Sequence, residues 1–376
     1  MTIRENILAV LRYEKYDRIP LVAFGYWRQT LEKWVDEGYV SQDDFDECLK
    51  GGYGNKGAYS IMTKLGFDLN WNPEFGIQSG LMPAFEEELI EVRPDGGRVM
   101  RDGAGLIVMV KPGIVSIPAE VGTTMTGREA WEEHYLPKLQ WSEERVDLAR
   151  LHEIAVAPEK RERPFGLFCG SMVGAMRNLL GVEQFSYLYV DDRDLFEEIV
   201  ATFADIAYRC VKKALESGVK FDFGHFWEDI CFKTGPLLHP QIFERLIAPG
   251  YKRITDLLAQ YGIDIVPLDC DGKIDLLVPI WLKNGVNTMF PIEIGTWGGS
   301  IEPWREKYGK SLLGIGGMDK RVFARDRAAV DEEIERLKPL IALGGFIPCP
   351  DHLLPPDAQY ENIQYYCEKM RKVLGG

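Results

Sequence analysis

The chain has no unbroken run of about 18 apolar residues, the length a helix needs to cross a bilayer. Its first residues, Met1-Thr2-Ile3-Arg4-Glu5, contain no apolar stretch of the kind that directs export. Cationic side chains are in deficit: 44 Lys and Arg face 58 Asp and Glu, for a formal net charge of −14. A surface of that sign repels phosphate backbones, so neither nucleic acid nor a membrane is an expected partner. The seven cysteines are scattered, with no Cys-x-x-Cys spacing. Without an export signal they read as reduced thiols in a cytoplasmic protein. Repeats, low-complexity tracts and linkers are missing too, so one domain over residues 1–376 is expected, with 46% hydrophobic residues to fill its core.

What is present is a rhythm. Thr2-x-x-Glu5 is a capping box opening a helix to about Leu11, residues 18–23 read as a short buried strand, and 28–36 have helical periodicity. Residues 88–111 break the pattern: two strands flank the turn Pro94-Asp95-Gly96-Gly97 and a third covers 106–110, a β-hairpin insertion. From Pro164 onward, apolar runs at 165–168, 219–223, 263–267, 288–290, 312–315 and 346–348 alternate with helical stretches at 195–217, 239–261, 274–284, 302–308, 328–343 and 360–373. Such alternation implies parallel βαβ units, and the runs leave room for about eight strands. The expected fold class is α/β, a (β/α)8 TIM barrel with a small antiparallel β insertion.

Barrel chemistry sits at the C-terminal ends of the strands. There the expected loops carry Gly224-His225-Phe226-Trp227-Glu228-Asp229, Asp269-Cys270-Asp271-Gly272, Glu293, Gly316-Gly317-Met318-Asp319 and Cys349-Pro350-Asp351-His352. Some of these have ordinary roles: Asp319 as a helix N-cap, Asp229 ordering its loop with Lys233, Cys231 and Cys349 as small buried hydrophobes, His225 as a satisfied core histidine. Glu228, Asp271 and His352 need a partner at such a place, and a metal ion is one. The aromatics Phe24, Tyr26, Trp27, Phe226 and Trp227 follow two strands and suit a wall for a flat ring.

These residues carry a resemblance. Glu228-Asp229-Ile230-Cys231-Phe232-Lys233-Thr234-Gly235-Pro236-Leu237, Asp271-Gly272, Asn284-Gly285-Val286-Asn287, Pro291-x-Glu293, Gly316-Gly317-x-Asp319-Lys320 and Gly344-Gly345-x5-Asp351-His352-x2-Pro355-Pro356 resemble the uroporphyrinogen decarboxylase-like superfamily. The decarboxylase proper carries two arginines after the first strand. Here Trp27-Arg28-Gln29 continues as Thr30-Leu31-Glu32, without the second. In the zinc methyltransferases of the superfamily, a His-x-Cys-Gly motif falls on Asp269, Asp271 and Gly272, and a late Cys falls on His352. Oxygen donors in place of sulfur suit polarisation of an oxygen better than activation of a thiol.

The pattern is most similar to the corrinoid-dependent O-demethylases. The resemblance implies methyl transfer from a small aromatic methyl ether to the Co(I) corrinoid of a partner protein. Glu228, Asp271 and His352 are then the catalytic candidates. Asp269, Asp271, His352 and Glu228 are the candidate ligands of a zinc ion. Tyr26, Trp27, Phe226, Trp227 and Glu293 are the candidate substrate contacts. Three alternatives stay open: a zinc-dependent thiol or methylamine-pathway corrinoid methyltransferase using Cys270 and Cys349, a uroporphyrinogen decarboxylase, and a non-catalytic ligand-binding barrel. The oligomeric state is open, with a homodimer as the candidate.

Overall fold

The computed structural model of the protein describes residues 1–51, 55–111 and 118–375. Its first helix, Ile3–Leu11, begins at the expected capping box, where the Thr2 hydroxyl accepts the Glu5 N–H and the Glu5 carboxylate accepts the Thr2 N–H. The strands in chain order are β1 (Val22–Ala23), β2 (Leu69–Asn70), β3 (Glu88–Val92), β4 (Arg98–Arg101), β5 (Leu106–Val110), β6 (Ala119–Thr123), β7 (Gly166–Phe168) and β8 (Phe223–Trp227). They continue with β9 (Cys231–Phe232), β10 (Gly235–Pro236), β11 (Pro267–Asp269), β12 (Thr288–Ile292), β13 (Leu313–Met318) and β14 (Phe346–Pro350).

Eight of these are parallel barrel strands. β1 pairs with β2, and β14, β13, β12, β11, β8 and β7 form a ladder in that order. Backbone bonds span the two seams between these sheets. Phe75 and Phe168 bridge β2 to β7 through Phe75 N–H to Gly166 O at 3.2 Å and Phe168 N–H to Phe75 O at 2.8 Å. Leu354 joins β14 to β1, donating to Gly25 O at 3.0 Å and accepting from Trp27 N–H at 3.1 Å. Helices such as Arg193–Glu216, Arg327–Ala342 and Tyr360–Val373 cover the outside. The buried apolar side chains form one continuous cluster from Ile7 to Leu374. Among the described residues, no helix is long and apolar enough to cross a membrane.

The insertion is a four-stranded antiparallel sheet, β3-β4-β5-β6. Its fourth strand, β6, lies beyond the expected boundary at 111. Within the barrel, β8, β11, β12, β13 and β14 reach further toward their C-termini than the apolar runs suggest, while β1 and β7 end where their runs end. The largest change is at 219–223, where the strand is Phe223–Trp227. Asp222 just before it is an anchor: its carboxylate accepts from Arg4 Nε at 2.9 Å and from Phe165 N–H at 2.9 Å. The stretch Gly224-His225-Phe226-Trp227, expected as a loop, is the strand itself.

Candidate functional site

Side chains alternate across a strand, and β8 shows which side is which. Phe223, His225 and Trp227 share one face. Phe223 stacks on Trp71 with centroids 4.7 Å apart, and His225 meets Phe290 edge-on at 5.9 Å, so this face looks into the barrel. Gly224 and Phe226 look out. A Cβ on Gly224 would lie 2.5 Å from Leu258, and Phe226 packs edge-on against Tyr251, both on the helix Ala248–Gln260.

Glu228 continues the outward face, which corrects its expected place at the rim. It is fully buried under the start of the helix Gly174–Asp191. One carboxylate oxygen accepts from Met172 N–H at 2.6 Å and Tyr251 OH at 2.5 Å. The other accepts from Ser171 OH at 3.0 Å, Val173 N–H at 3.0 Å and Gly174 N–H at 2.6 Å. Burial pushes this carboxyl up, and the hydrogen bonds from Tyr251, Met172, Gly174 and Val173 oppose the shift. A carboxylate so engaged has no lone pair left for a metal or a substrate. The alternation also removes Phe226 from the expected ring wall. Tyr26 is removed for a different reason: Gly25 has φ +127°, which turns the chain between Phe24 and Tyr26. Phe24 faces inward, 4.6 Å from Phe290, while Tyr26 is buried edge-on to Trp34 of the helix Arg28–Asp36.

At the barrel mouth the structure brings Asp271 and His352 together. His352 Nε2 lies 3.0 Å from Asp271 Oδ2, with side chains 20% and 35% exposed. The His352 ring meets Phe24 edge-on at 5.5 Å and lies 6.4 Å from Trp27. Each partner is fixed by backbone. Asp271 precedes Gly272, which has φ +84° and sits where a Cβ would lie 2.3 Å from the Cys231 carbonyl. Gly272 N–H donates to Glu293 at 2.5 Å, and the Thr296 hydroxyl donates to the same carboxylate at 2.6 Å. Glu293 is thus buried behind the Asp271 loop. Residues 351–354 are fastened to the first barrel loop through Leu354, whose carbonyl also accepts the Thr30 hydroxyl at 2.8 Å.

The surrounding charges repel one another. Burial first, and then the neighbouring carboxylates of Asp271, Asp229 and Glu293, hold the Asp269 carboxyl well above the usual range. Burial, with Asp271 next, raises Glu293. Asp229 is paired with Arg177 at 3.0 Å rather than with Lys233. Burial lowers Lys320, which lies in the field of Asp351, Glu293, Asp271 and Asp319. Asp351 caps the short helix Ile294–Trp297, accepting from Ile294 and Gly295 N–H at 3.0 and 2.7 Å. Asp319 caps the turn 320–324 and holds Arg321 at 2.7 Å. Arg177 had no signal in local sequence, and the capping role of Asp351 had none, because their partners lie 52 and 57 residues away.

Of the four expected zinc ligands, Asp271 and His352 meet and Glu228 does not reach them. Among the described residues, no three His, Cys, Asp or Glu side chains converge on one point. Asp271 Oδ1 is buried without a hydrogen-bond partner. The donor chemistry therefore fits a divalent ion at these two residues, while the count falls short of the three protein ligands of an ordinary catalytic zinc. Burial pushes the Cys270 and Cys349 thiols far up, which disfavours the thiolates a sulfur-rich site needs. Clefts of about 480 and 390 Å³, lined by Tyr16 and Lys338 and by Arg12 and Asn287, open at the opposite end of the strands. The site is defined by its converging side chains.

No family model matches the chain, and no curated relative does. Solved structures do. A methyltransferase from Methanosarcina mazei aligns with a TM-score of 0.58 over 98% of this chain and 99% of its own, at 12% identity. A B12-independent methionine synthase from Shewanella sp. W3-18-1, in complex with selenomethionine, gives a TM-score of 0.48 over 94% and 98%, at 10% identity. The first likeness runs end to end and shows the shared α/β barrel fold.

Proposed function

We propose that the protein is a methyltransferase that carries the methyl group of a methoxylated aromatic to the Co(I) corrinoid of a partner protein. The observation that carries this reading is the Asp271–His352 pair, set beside the rings of Phe24 and Trp27. A flat methoxyarene lying against these rings, with the half-buried Trp227 on the inward face of β8, brings its ether oxygen toward the pair.

A phenolate leaves poorly unless its charge is neutralised as it develops. The methyl carbon–oxygen bond breaks as the carbon passes to the reduced cobalt, whose electron pair forms the new bond. The oxygen departs with the electrons of the broken bond and takes the proton held between His352 Nε2 and Asp271 Oδ2. The products are a phenol and a methylated corrinoid. The barrel supplies position and shelter from water, and Glu293 with Gly272 fixes Asp271 in place. The name of the Methanosarcina mazei protein, a methyltransferase of the same fold, agrees with the reaction class.

A divalent ion, zinc first, is proposed at Asp271 and His352, where it would supply Lewis acidity toward the ether oxygen. Held by these two side chains, the ion would take the place of the shared proton, so the leaving oxygen would be neutralised by one or the other and not by both. The test is the phenol formed per enzyme from a panel of methoxyarenes with a Co(I) corrinoid protein supplied. Phenol and methylated corrinoid in equal amounts are expected. No phenol, together with methyl transfer to or from a thiol, would replace this reading with the thiol methyltransferase.

A further inference from the structure

Lys320 closes the stretch Gly316-Gly317-x-Asp319-Lys320 at the C-terminal end of β13, the strand between β12 and β14. The two glycines have φ +129° and +71°, and a Cβ on Gly316 would lie 2.3 Å from the Ile292 backbone nitrogen of β12. On the other side, Met318 is the parallel partner of Pro350 in β14. Asp351 N–H donates to Met318 O at 2.8 Å, and Lys320 N–H donates to Asp351 Oδ1 at 3.3 Å. Lys320 and His352 therefore occupy equivalent positions just past paired residues on neighbouring strands. Such strands run about 4.8 Å apart, a gap that the four-carbon stem of a lysine spans.

The carboxylates around this lysine already have nearer partners. Asp319 holds Arg321, Asp351 caps the helix Ile294–Trp297, Glu293 takes Gly272 N–H and the Thr296 hydroxyl, and Asp271 meets His352. Lys320 is half-buried, so it stays open to an incoming ring. Among the described residues, its one hydrogen bond is the backbone contact to Asp351, and its ammonium forms no ion pair. Burial pulls its pKa down, while the carboxylates, Asp351 first, hold the proton on. A cation drawn partly out of water without a direct partner destabilises a fold. It makes chemical sense if negative charge arrives beside it, and the leaving oxygen is where negative charge develops. We propose that Lys320 is a catalytic residue that hydrogen-bonds the ether oxygen as the carbon–oxygen bond breaks, a role that rests on the methoxyarene reading above. The ammonium keeps its three protons throughout, and the oxygen is still neutralised at the Asp271–His352 pair. A positive charge already in place where charge develops lowers the barrier without tightening the binding of the neutral ether.

The experiment uses 4-nitrophenol, the product expected from 4-nitroanisole, which absorbs visible light only when ionised. Its ionisation is titrated while bound to the full chain, without any corrinoid protein. In Lys320→Met the bound phenol should ionise at a pH about one unit higher than in wild type, a tenfold loss of preference for the phenolate. Lys320→Gln, a second uncharged variant, should give the same change, and Lys320→Arg should restore most of it. With Co(I) corrinoid protein supplied, Lys320→Met should lower kcat on the order of 10²-fold and leave KM nearly unchanged. The loss should be larger for anisole than for 4-nitroanisole, whose phenolate leaves more readily unaided. The same ionisation of bound 4-nitrophenol in wild type and both uncharged variants overturns the proposal, and so does an equal loss of kcat for the two ethers. No binding of 4-nitrophenol by wild type overturns it too. A Lys320-dependent ionisation without demethylation by any Co(I) corrinoid protein would sink the methyl-transfer reading and leave a phenolate contact at Lys320. Demethylation without that ionisation change would sink the Lys320 contact alone.

Discussion

The imidazole of His352 and the carboxylate of Asp271 meet at 3.0 Å although they are carried by loops of two non-adjacent barrel strands, β14 and β11. If this pair supplies the proton to the leaving oxygen, His352→Ala and Asp271→Ala should each lower kcat about 10²- to 10³-fold while changing KM little. The double variant should lose little more than either single one, because the two act as a unit. Additive losses in phenol formation would mean that they work separately.

Trp27 lies beside the pair and hydrogen-bonds its backbone to Leu354. Its ring is the part that would hold a substrate. Trp27→Ala should raise KM for methoxyarenes by about tenfold with a smaller change in kcat, because ring stacking is made equally in the ground and transition states. Initial-rate kinetics decide the matter; a fall in kcat at constant KM would assign Trp27 to the chemical step.

The metal proposal is separable. Protein produced with ample zinc should bind about one equivalent, and His352→Ala or Asp271→Ala should abolish that binding. Elemental analysis of the purified protein reads this directly. Full demethylase activity in metal-free protein would leave the proton of the pair, and not an ion, to neutralise the leaving oxygen.

Glu228 should behave differently from Asp271. It accepts five hydrogen bonds at the start of a helix, so Glu228→Ala leaves several buried donors unpaired. A loss of about 3 kcal/mol or more is expected in urea unfolding, as a shifted midpoint with unchanged slope. Unaltered stability with collapsed turnover would return Glu228 to the catalytic group.

How far the sequence reaches can be followed along β8. The helices and the barrel rhythm were legible because their apolar periods are long and regular. The apolar run at 219–223, however, mistakes the approach to the strand for the strand. Counting in twos from Phe223 would have sent Phe226 and Glu228 outward to Tyr251 and left Trp227 and His225 inside. Tyr26 was beyond such counting, since the turn at Gly25 resets the face. Asp271 and His352 were legible because each follows a strand end directly. Glu293 was legible as an acid at a strand end, but its hold on the Asp271 loop through Gly272, and that of Leu354 on the first barrel loop, were not, because both run between separate barrel loops.

Asp269 gives a test of the crowded charges that does not depend on any substrate. Burial and the carboxylates of Asp271, Asp229 and Glu293 raise its folded-state pKa above the unfolded value. The folded state therefore holds a proton that the unfolded state releases over this window. Stability from this group is fully present below the unfolded pKa of about 3.9 and falls as the pH rises through the folded value. Asp269→Asn removes the ionisable group while keeping its shape. The variant should melt at a higher temperature than wild type at pH 7–8, and the difference should shrink steadily as the pH is lowered toward 4. Thermal melts across that range measure it. A gain that is independent of pH would mean that the amide improves packing or hydrogen bonding instead. A variant less stable at every pH would mean that the ionised carboxylate has a favourable partner, and the divalent ion proposed at the adjacent Asp271 would be the first to examine.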